Sequence, residues 1–434
     1  MRNNFLKYLS IQALALLNFG AFAQVNTISP YSNFGIGELA NTSTSYFQGM
    51  GGIGIGVFSD KYINLSNPAS YSNLKLTNFE IGMTGSLVRL NQGTLSQEEN
   101  FANFSHLVLA APFGNKWSGA FGLIPLSHIG YEKVQTDGKP IVSMGDTVNY
   151  KVIYQGEGGL NQAFMGGAYQ LTENLSLGVN FNFIYGQIEA VRDERYEDPT
   201  YLSTRASQAI SVQDVSFSLG AQFNKKLSDT RFISVGLTYK AKADLASEER
   251  LFVNSYSYSG VANNLLDTLE NKEIQSGRMT LPSEIGIGFG LRELNKWNLG
   301  ADLRLVNWSE FSKFNREANS LKDLMSIAVG GSFTPDYKDI RKFLNRIQYR
   351  AGLRYSDGYI SWSAEENASV TDITEFGINF GIGIPVRKNG STLNFDFELG
   401  QRGTEDNSLV KEDYFKFQVS MSLRDKWFVR RKID

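Results

Sequence analysis

Three short stretches of this sequence hold the residue types that could do chemistry. Gly49-Met-Gly51-Gly52-Ile-Gly54 spells G-x-G-x-x-G, the glycine turn that lets a backbone approach a dinucleotide pyrophosphate. Ser105 precedes His106 and Ser127 precedes His128, so a hydroxyl stands next to an imidazole twice, and these are the chain's 2 histidines. The glycine pattern needs a strand before it and a helix after it. Here it lies in a glycine-rich polar run with neither, so no nucleotide and no other cofactor is expected. The serine–histidine pairs lie in strand-like stretches, where adjacent side chains face opposite sides and are not expected to meet. A catalytic set would have to be assembled across different strands. Solvated or structural histidines are the preferred reading, and the chain reads as non-enzymatic, without a catalytic or metal site.

The start of the chain removes further classes. Residues 1–23 carry basic Arg2 and Lys7, an apolar run from about Tyr8 to Phe19, and the small-x-small close Ala21-Phe22-Ala23. That is an export signal, too short in its apolar part to span a bilayer, and it predicts a mature chain from Gln24. The Cys count of 0 excludes a lipid-anchored lipoprotein and a disulfide scaffold. A formal net charge of -2 argues against nucleic acid or another polyanion as partner. No later segment has the apolar length of a membrane helix, yet 30 Phe, 20 Tyr and 42 Gly are high. Long strands with aromatic faces use such a mixture.

Alternation supplies those strands. Near the C-terminus Phe415, Phe417, Val419, Met421 and Leu423 share one face, with Lys416, Gln418, Ser420 and Ser422 on the other. The rhythm recurs in residues 175–186, 297–305, 376–384 and 393–399. A soluble sandwich turns the apolar face into a core, whereas a membrane barrel turns it to lipid. Three features favour the barrel: strands of about ten residues or more, polar faces of Gly, Asn and Ser rather than Lys and Glu, and connections alternating short and long. Short joins fall at 113–117, 171–174, 227–231, 294–297 and 387–391. Long polar segments fall near 134–157, 191–207, 247–276, 306–321, 357–370 and 402–412. The fold class predicted is all-β, a transmembrane antiparallel β-barrel of about 14 strands over 74–424. An N-terminal plug or hatch of residues 24–73 sits inside the lumen, and a periplasmic tail occupies 425–434. Residues 337–346 read as a periplasmic helix or bent turn. In a plug, the glycines let backbone pack where a side chain would collide.

The residues from Gln48 to Ser72 resemble the N-terminal hatch of the FadL-like outer-membrane barrels, in which a glycine-rich run leads to an Asn-Pro-Ala near the first strand. Gly49, Gly51, Gly52 and Gly54, followed by Asn67, Pro68 and Ala69, match that pattern. Residues 122–132 are similar to the family's third strand, where a proline interrupts pairing, and 279–290 to a later strand start. The ending 422–434 resembles a branch that includes the PorV-type barrels of secretion systems. The resemblance implies a fourteen-stranded, self-plugged barrel of the Gram-negative outer membrane. It further implies a hydrophobic molecule bound at the plug and released sideways into the surrounding lipid.

Pro125 is the residue-level counterpart of that release route. A proline cannot donate to a ladder, so inside a strand it marks a break. Either Pro125, Ser127 and His128 frame a lateral opening, or the proline ends its strand beyond the hydrocarbon layer. Passive uptake of hydrophobic or amphipathic small molecules is the leading expectation. The alternative is a non-enzymatic structural subunit of an outer-membrane secretion or protein-assembly complex, with other outer-membrane proteins or lipoproteins as partners. The tail motivates it: Trp427 and Phe428 followed by Arg430, Arg431 and Lys432 would either pin the rim at the membrane interface or dock a partner.

Overall fold

The computed structural model describes residues 27–426 apart from 137–140, 144–145, 259–262, 273, 318–320, 363–369 and 387–389. The predicted signal peptide and the tail residues from 427 onward therefore lie outside the described residues.

Fourteen antiparallel strands form one closed wall. The first half comprises β1 (Thr77–Gln92), β2 (Leu95–Phe113), β3 (Trp117–Pro125 continued by Ser127–Gln135), β4 (Tyr150–Gln170), β5 (Leu175–Tyr196), β6 (Ser203–Lys226) and β7 (Arg231–Lys240 continued by Ala243–Tyr258). The second half comprises β8 (Gln275–Leu281 continued by Glu284–Glu293), β9 (Trp297–Val306), β10 (Leu324–Phe333), β11 (Gln348–Ser356), β12 (Glu375–Pro385), β13 (Thr392–Arg402) and β14 (Lys411–Asp425). Each pairs with its sequence neighbour, and β1 closes on β14 from Thr77↔Asp425 to Asn91↔Lys411. Closure is what apolar surroundings demand, because an open sheet edge would leave backbone groups without partners.

The alternation decides the two faces. Phe181, Val215, Phe217, Leu237, Ile287 and Leu299 point outward and are exposed, while their chain neighbours Asn180, Asn182, Ser218 and Asn298 are buried inside. The outward residues of neighbouring strands join into a continuous apolar belt around the wall. In water such a belt would be an aggregation surface; against acyl chains it costs nothing to expose. This is the exterior of a membrane-spanning barrel.

Several strands outrun their predicted ends. β4, β5, β6 and β7 continue into the expected loops 134–157, 191–207 and 247–276. Within these extensions the strands enclose a polar knot: buried Asp193 on β5 accepts from Arg195 at 2.7 Å, from Arg205 on β6 at 3.0 Å and from the Tyr256 hydroxyl on β7 at 2.5 Å. Residues 337–346 do not form an α-helix; only a single 3₁₀ turn, Phe343–Arg346, is present.

Candidate functional site

Most of residues 27–76 is buried, and its polar partners stand on inward faces around the wall. The Asp302 carboxylate on β9 accepts the backbone N–H groups of Gly54 at 2.6 Å, Ile55 at 2.8 Å and Gly56 at 3.3 Å. Arg350 on β11 donates to the Ser45 carbonyl at 3.1 Å, to Asp396 at 3.2 Å and to Asn394 at 2.6 Å. Gln418 on β14 donates to Ser45 Oγ at 2.8 Å, Gln48 donates to Glu398 at 2.7 Å, and Arg292 on β8 pairs with Asp60. Away from water each such group costs on the order of 1–3 kcal/mol if left without a partner, so the segment's seat is specified atom by atom.

The glycines complete that seat. Gly51 and Gly52 both have φ +79°, a left-handed conformation that disfavours any side chain. A Cβ on Gly49 would meet Asp396 and the Cα of Gly381, and one on Gly54 would meet Asn64 and Ser66. The wall answers with its own glycines: Gly288 lies against Gly56, Gly330 and Gly352 against Met50, and Gly178 against Pro68 and Ala69. Backbone thus packs on backbone. Asn67 joins both sides, accepting from the Ala69 N–H at 3.0 Å and donating to Ile55 O at 2.9 Å and to Ala221 O on β6 at 3.1 Å. Pro68 opens the 3₁₀ turn Pro68–Asn73, where its missing N–H leaves no partner wanting.

The wall departs from regularity at β3. The β2–β3 register runs from Phe113↔Trp117 to Leu107↔Leu123 and ends there, while β3 breaks between Pro125 and Ser127. Beyond the break its outer half follows β4, from Ile129↔Gly158 onward. On the side turned away from β4, the N-terminal segment lends a two-residue strand, Glu38–Leu39, paired to His128 and Ser127. The Ala40 N–H donates to Leu126 O at 3.0 Å, the Leu126 N–H to Leu160 O at 2.8 Å, and the Leu160 N–H to Ser127 Oγ at 3.3 Å. Gly158 and Gly159, at φ +105° and +145°, fold β4 around this break, Gly159 against the Ser127 carbonyl. Pro125, Ser127 and His128 therefore come together with Glu38 and Leu39 at one discontinuity in the wall.

A cavity of about 390 Å³ opens there. Phe101, Phe104, Pro125, Leu126 and Leu39 line it near the discontinuity, and Glu38, Arg354, Glu398, Arg402 and Lys416 line it deeper in. The deep groups form one ion network. Lys416 and Arg402 reach Glu38 at 3.0 and 3.3 Å, Arg402 reaches Glu375 at 3.2 Å, and Arg354 reaches Glu375 and Glu398 at 2.6 Å each. Burial pushes the Glu38 carboxyl up, but Lys416 and Arg402 outweigh it and hold the group well below the usual carboxylate range. The arrangement can hold a small amphiphile, apolar end toward the wall and polar end toward the network. This network was not assigned from sequence. Its signal was present in the charged residues on otherwise polar strand faces, such as Glu398 and Lys416, whose partners lie tens to hundreds of positions away.

One expectation is corrected. Ser105 and His106 do meet: Ser105 Oγ lies 3.0 Å from His106 Nδ1, and His106 Nε2 lies 3.2 Å from Glu80. The β1–β2 register slips between Gly82↔His106 and Met83↔Phe104, so Ser105 is the extra residue of a bulge and turns inward beside its neighbour. Glu80 also accepts from Ser420 at 3.0 Å, Ser422 at 2.6 Å and the Ser45 N–H at 3.2 Å. The carboxylate is a clasp between wall and N-terminal segment, and the histidine is one of its donors. The anchor residues Trp427, Phe428, Arg430, Arg431 and Lys432 lie outside the described residues.

Comparison with solved structures finds similar folds. The toluene transporter TodX of Pseudomonas putida aligns with TM-score 0.57 and 15% identity over 90% of this chain and 100% of its own. A Pseudomonas aeruginosa FadL homologue aligns with TM-score 0.56 and 12% identity, covering 89% of this chain and 98% of its own. A monoaromatic hydrocarbon channel, CymD, aligns with TM-score 0.53 and 15% identity over 90% and 98%. At such identities the likeness concerns the fold. No curated protein matches the sequence. The family model described as BamG matches residues 5–434.

Proposed function

The chain belongs to the BamG family, and on that premise we propose that it is an outer-membrane barrel of a Gram-negative cell that passively admits hydrophobic or amphipathic small molecules. The short turns face the periplasm, and cargo passes sideways between β2 and β3. One observation carries this reading: the β2–β3 register stops at Leu107↔Leu123, beside a cavity lined by Phe104, Pro125, Leu126 and Leu39. The likeness to a toluene transporter and a monoaromatic hydrocarbon channel supports it at the level of shared architecture. Ala40 lines this cavity, and Ala40→Trp places an indole in it. Uptake of a panel of aromatic and long-chain probes by cells carrying this variant is expected to fall to the level of cells lacking the gene. Wild-type uptake equal to that of cells lacking the gene, across a broad panel, would contradict transport.

A second reading is a non-enzymatic subunit of an outer-membrane secretion or assembly complex. The family match partly fits it, and so does an outer lumen closed by Trp308, Phe311, Phe314 and Leu409. Extraction in mild detergent followed by size analysis separates the two: a stoichiometric larger particle supports the subunit reading, and a lone monomer opposes it.

A further inference from the structure

Five of the six connections at the short-turn end are tight, and the sixth is not. Between β10 and β11 the chain spends residues 334–347 on a loop that exposes Tyr337, Ile340, Phe343 and Leu344, with Ile340 92% exposed. Among the described residues, these side chains have no apolar core beneath them. The loop is nonetheless built. Asp339 accepts the N–H groups of Arg341 at 2.8 Å and Lys342 at 3.0 Å and the Asn345 amide at 2.6 Å, which holds its carboxyl below the usual range. Asp336 accepts the Lys338 N–H at 2.9 Å, and its own N–H donates to Asn345 O at 2.8 Å. Both carboxylates thus work inside the loop. Lys338, Arg341, Lys342 and Arg346 form no ion pair among the described residues.

Position names the occupant. The Tyr349 hydroxyl, at the foot of β11 on the exposed outer face, donates to Leu344 O at 3.3 Å. Phe343 and Leu344 therefore continue the lipid-facing belt past Phe333 and Tyr349, and Arg346 covers the Phe343 ring at 5.2 Å. Apolar side chains level with the end of a membrane belt, interleaved with cations, match an acyl–headgroup boundary of negative charge.

We propose that loop 334–347 is an anchor for anionic phospholipid, inserting Ile340 and Leu344 among acyl chains and gathering phosphate headgroups with Arg341 and Lys342. This rests on the membrane-spanning reading of the barrel. The test is native mass spectrometry of the full chain from micelles doped equally with phosphatidylglycerol and phosphatidylcholine. Wild type is expected to retain phosphatidylglycerol preferentially. Arg341→Glu/Lys342→Glu should lower that retention about tenfold or more, each headgroup contact of a basic residue being worth roughly a factor of five. Ile340→Ser/Leu344→Ser should lower retention of both lipids, and Lys116→Glu, in a tight turn at the same end, should lower it least. Equal retention by wild type and the Arg341/Lys342 variant overturns the proposal. So does loss of a co-purifying protein with lipid retention unchanged, which would make the loop a protein dock. A chain that stays dispersed without detergent would instead overturn the membrane reading itself.

Discussion

The two halves of the lumen are filled by opposite means. Toward the short-turn end, β5 turns Ser176, Gly178, Asn180 and Asn182 inward, and β6 turns Ser218, Gly220 and Gln222 inward, against the backbone of residues 45–73. Toward the other end the same two strands turn in Ile184, Ile188, Ile210 and Val212, against Trp308, Phe311, Phe314 and other residues of the connecting segments. Only what the wall must face has changed. A filling rich in bare N–H and C=O groups requires a polar, glycine-pocked wall. A filling of aromatic side chains requires an apolar one. On the β5–β6 side the inner half is thus held by directional bonds and the outer half by packed area, while across the lumen the Arg354–Glu375–Arg402 ion network also occupies the outer half.

That contrast can be broken from either side. The largest effect is expected from Asp302→Ala, which strands three N–H groups at once and should cost about 4 kcal/mol of stability in urea titration; Asp302→Asn, keeping one acceptor, should recover part of it. Leu160→Ala, in the outer half, should cost about 3 kcal/mol by cavity formation, with no polar rescue. Gly288→Ala drives a methyl into the backbone of Gly56 and should cost about 2 kcal/mol. A smaller effect depends on pH. The Glu38 carboxyl is held below its unfolded range, so its contribution is present above about pH 4 and is lost as pH falls through the depressed value. Protease cleavage within residues 27–45 should therefore rise below pH 4, and Glu38→Gln should flatten that acid dependence. Least of all should change with Arg89→Ala, because the Arg89–Glu98 pair is 59% and 64% exposed and such pairs are worth about 1 kcal/mol or less.

The strand count and the inward–outward assignment could be read from the alternation, because a period of two leaves a mark on every strand. The outer extensions of β4 to β7 could not. Their sequences are dense in charge, as in Arg192–Tyr196 and Ser247–Arg250, and such runs read as polar loop. The glycines of the N-terminal segment and Pro125 could be named from local composition and spacing. The wall residues that hold that segment, Asp302, Arg350, Arg402 and Lys416, stand more than 200 positions beyond it, and only the closed wall brings them near. The meeting of Ser105 with His106 depends on a one-residue slip of register, which a strict alternation rule excludes.

The central claim concerns which face of each strand meets acyl chains, and the absence of native cysteine makes it directly measurable. Single cysteines placed in turn from Val215 to Leu219 on β6, spin-labelled in vesicles, report oxygen and nickel-chelate accessibility residue by residue. The account predicts a period of two, with high oxygen accessibility at 215, 217 and 219 and protection from both reagents at 218. Uniform chelate accessibility along the strand, or oxygen maxima at 216 and 218, would contradict it.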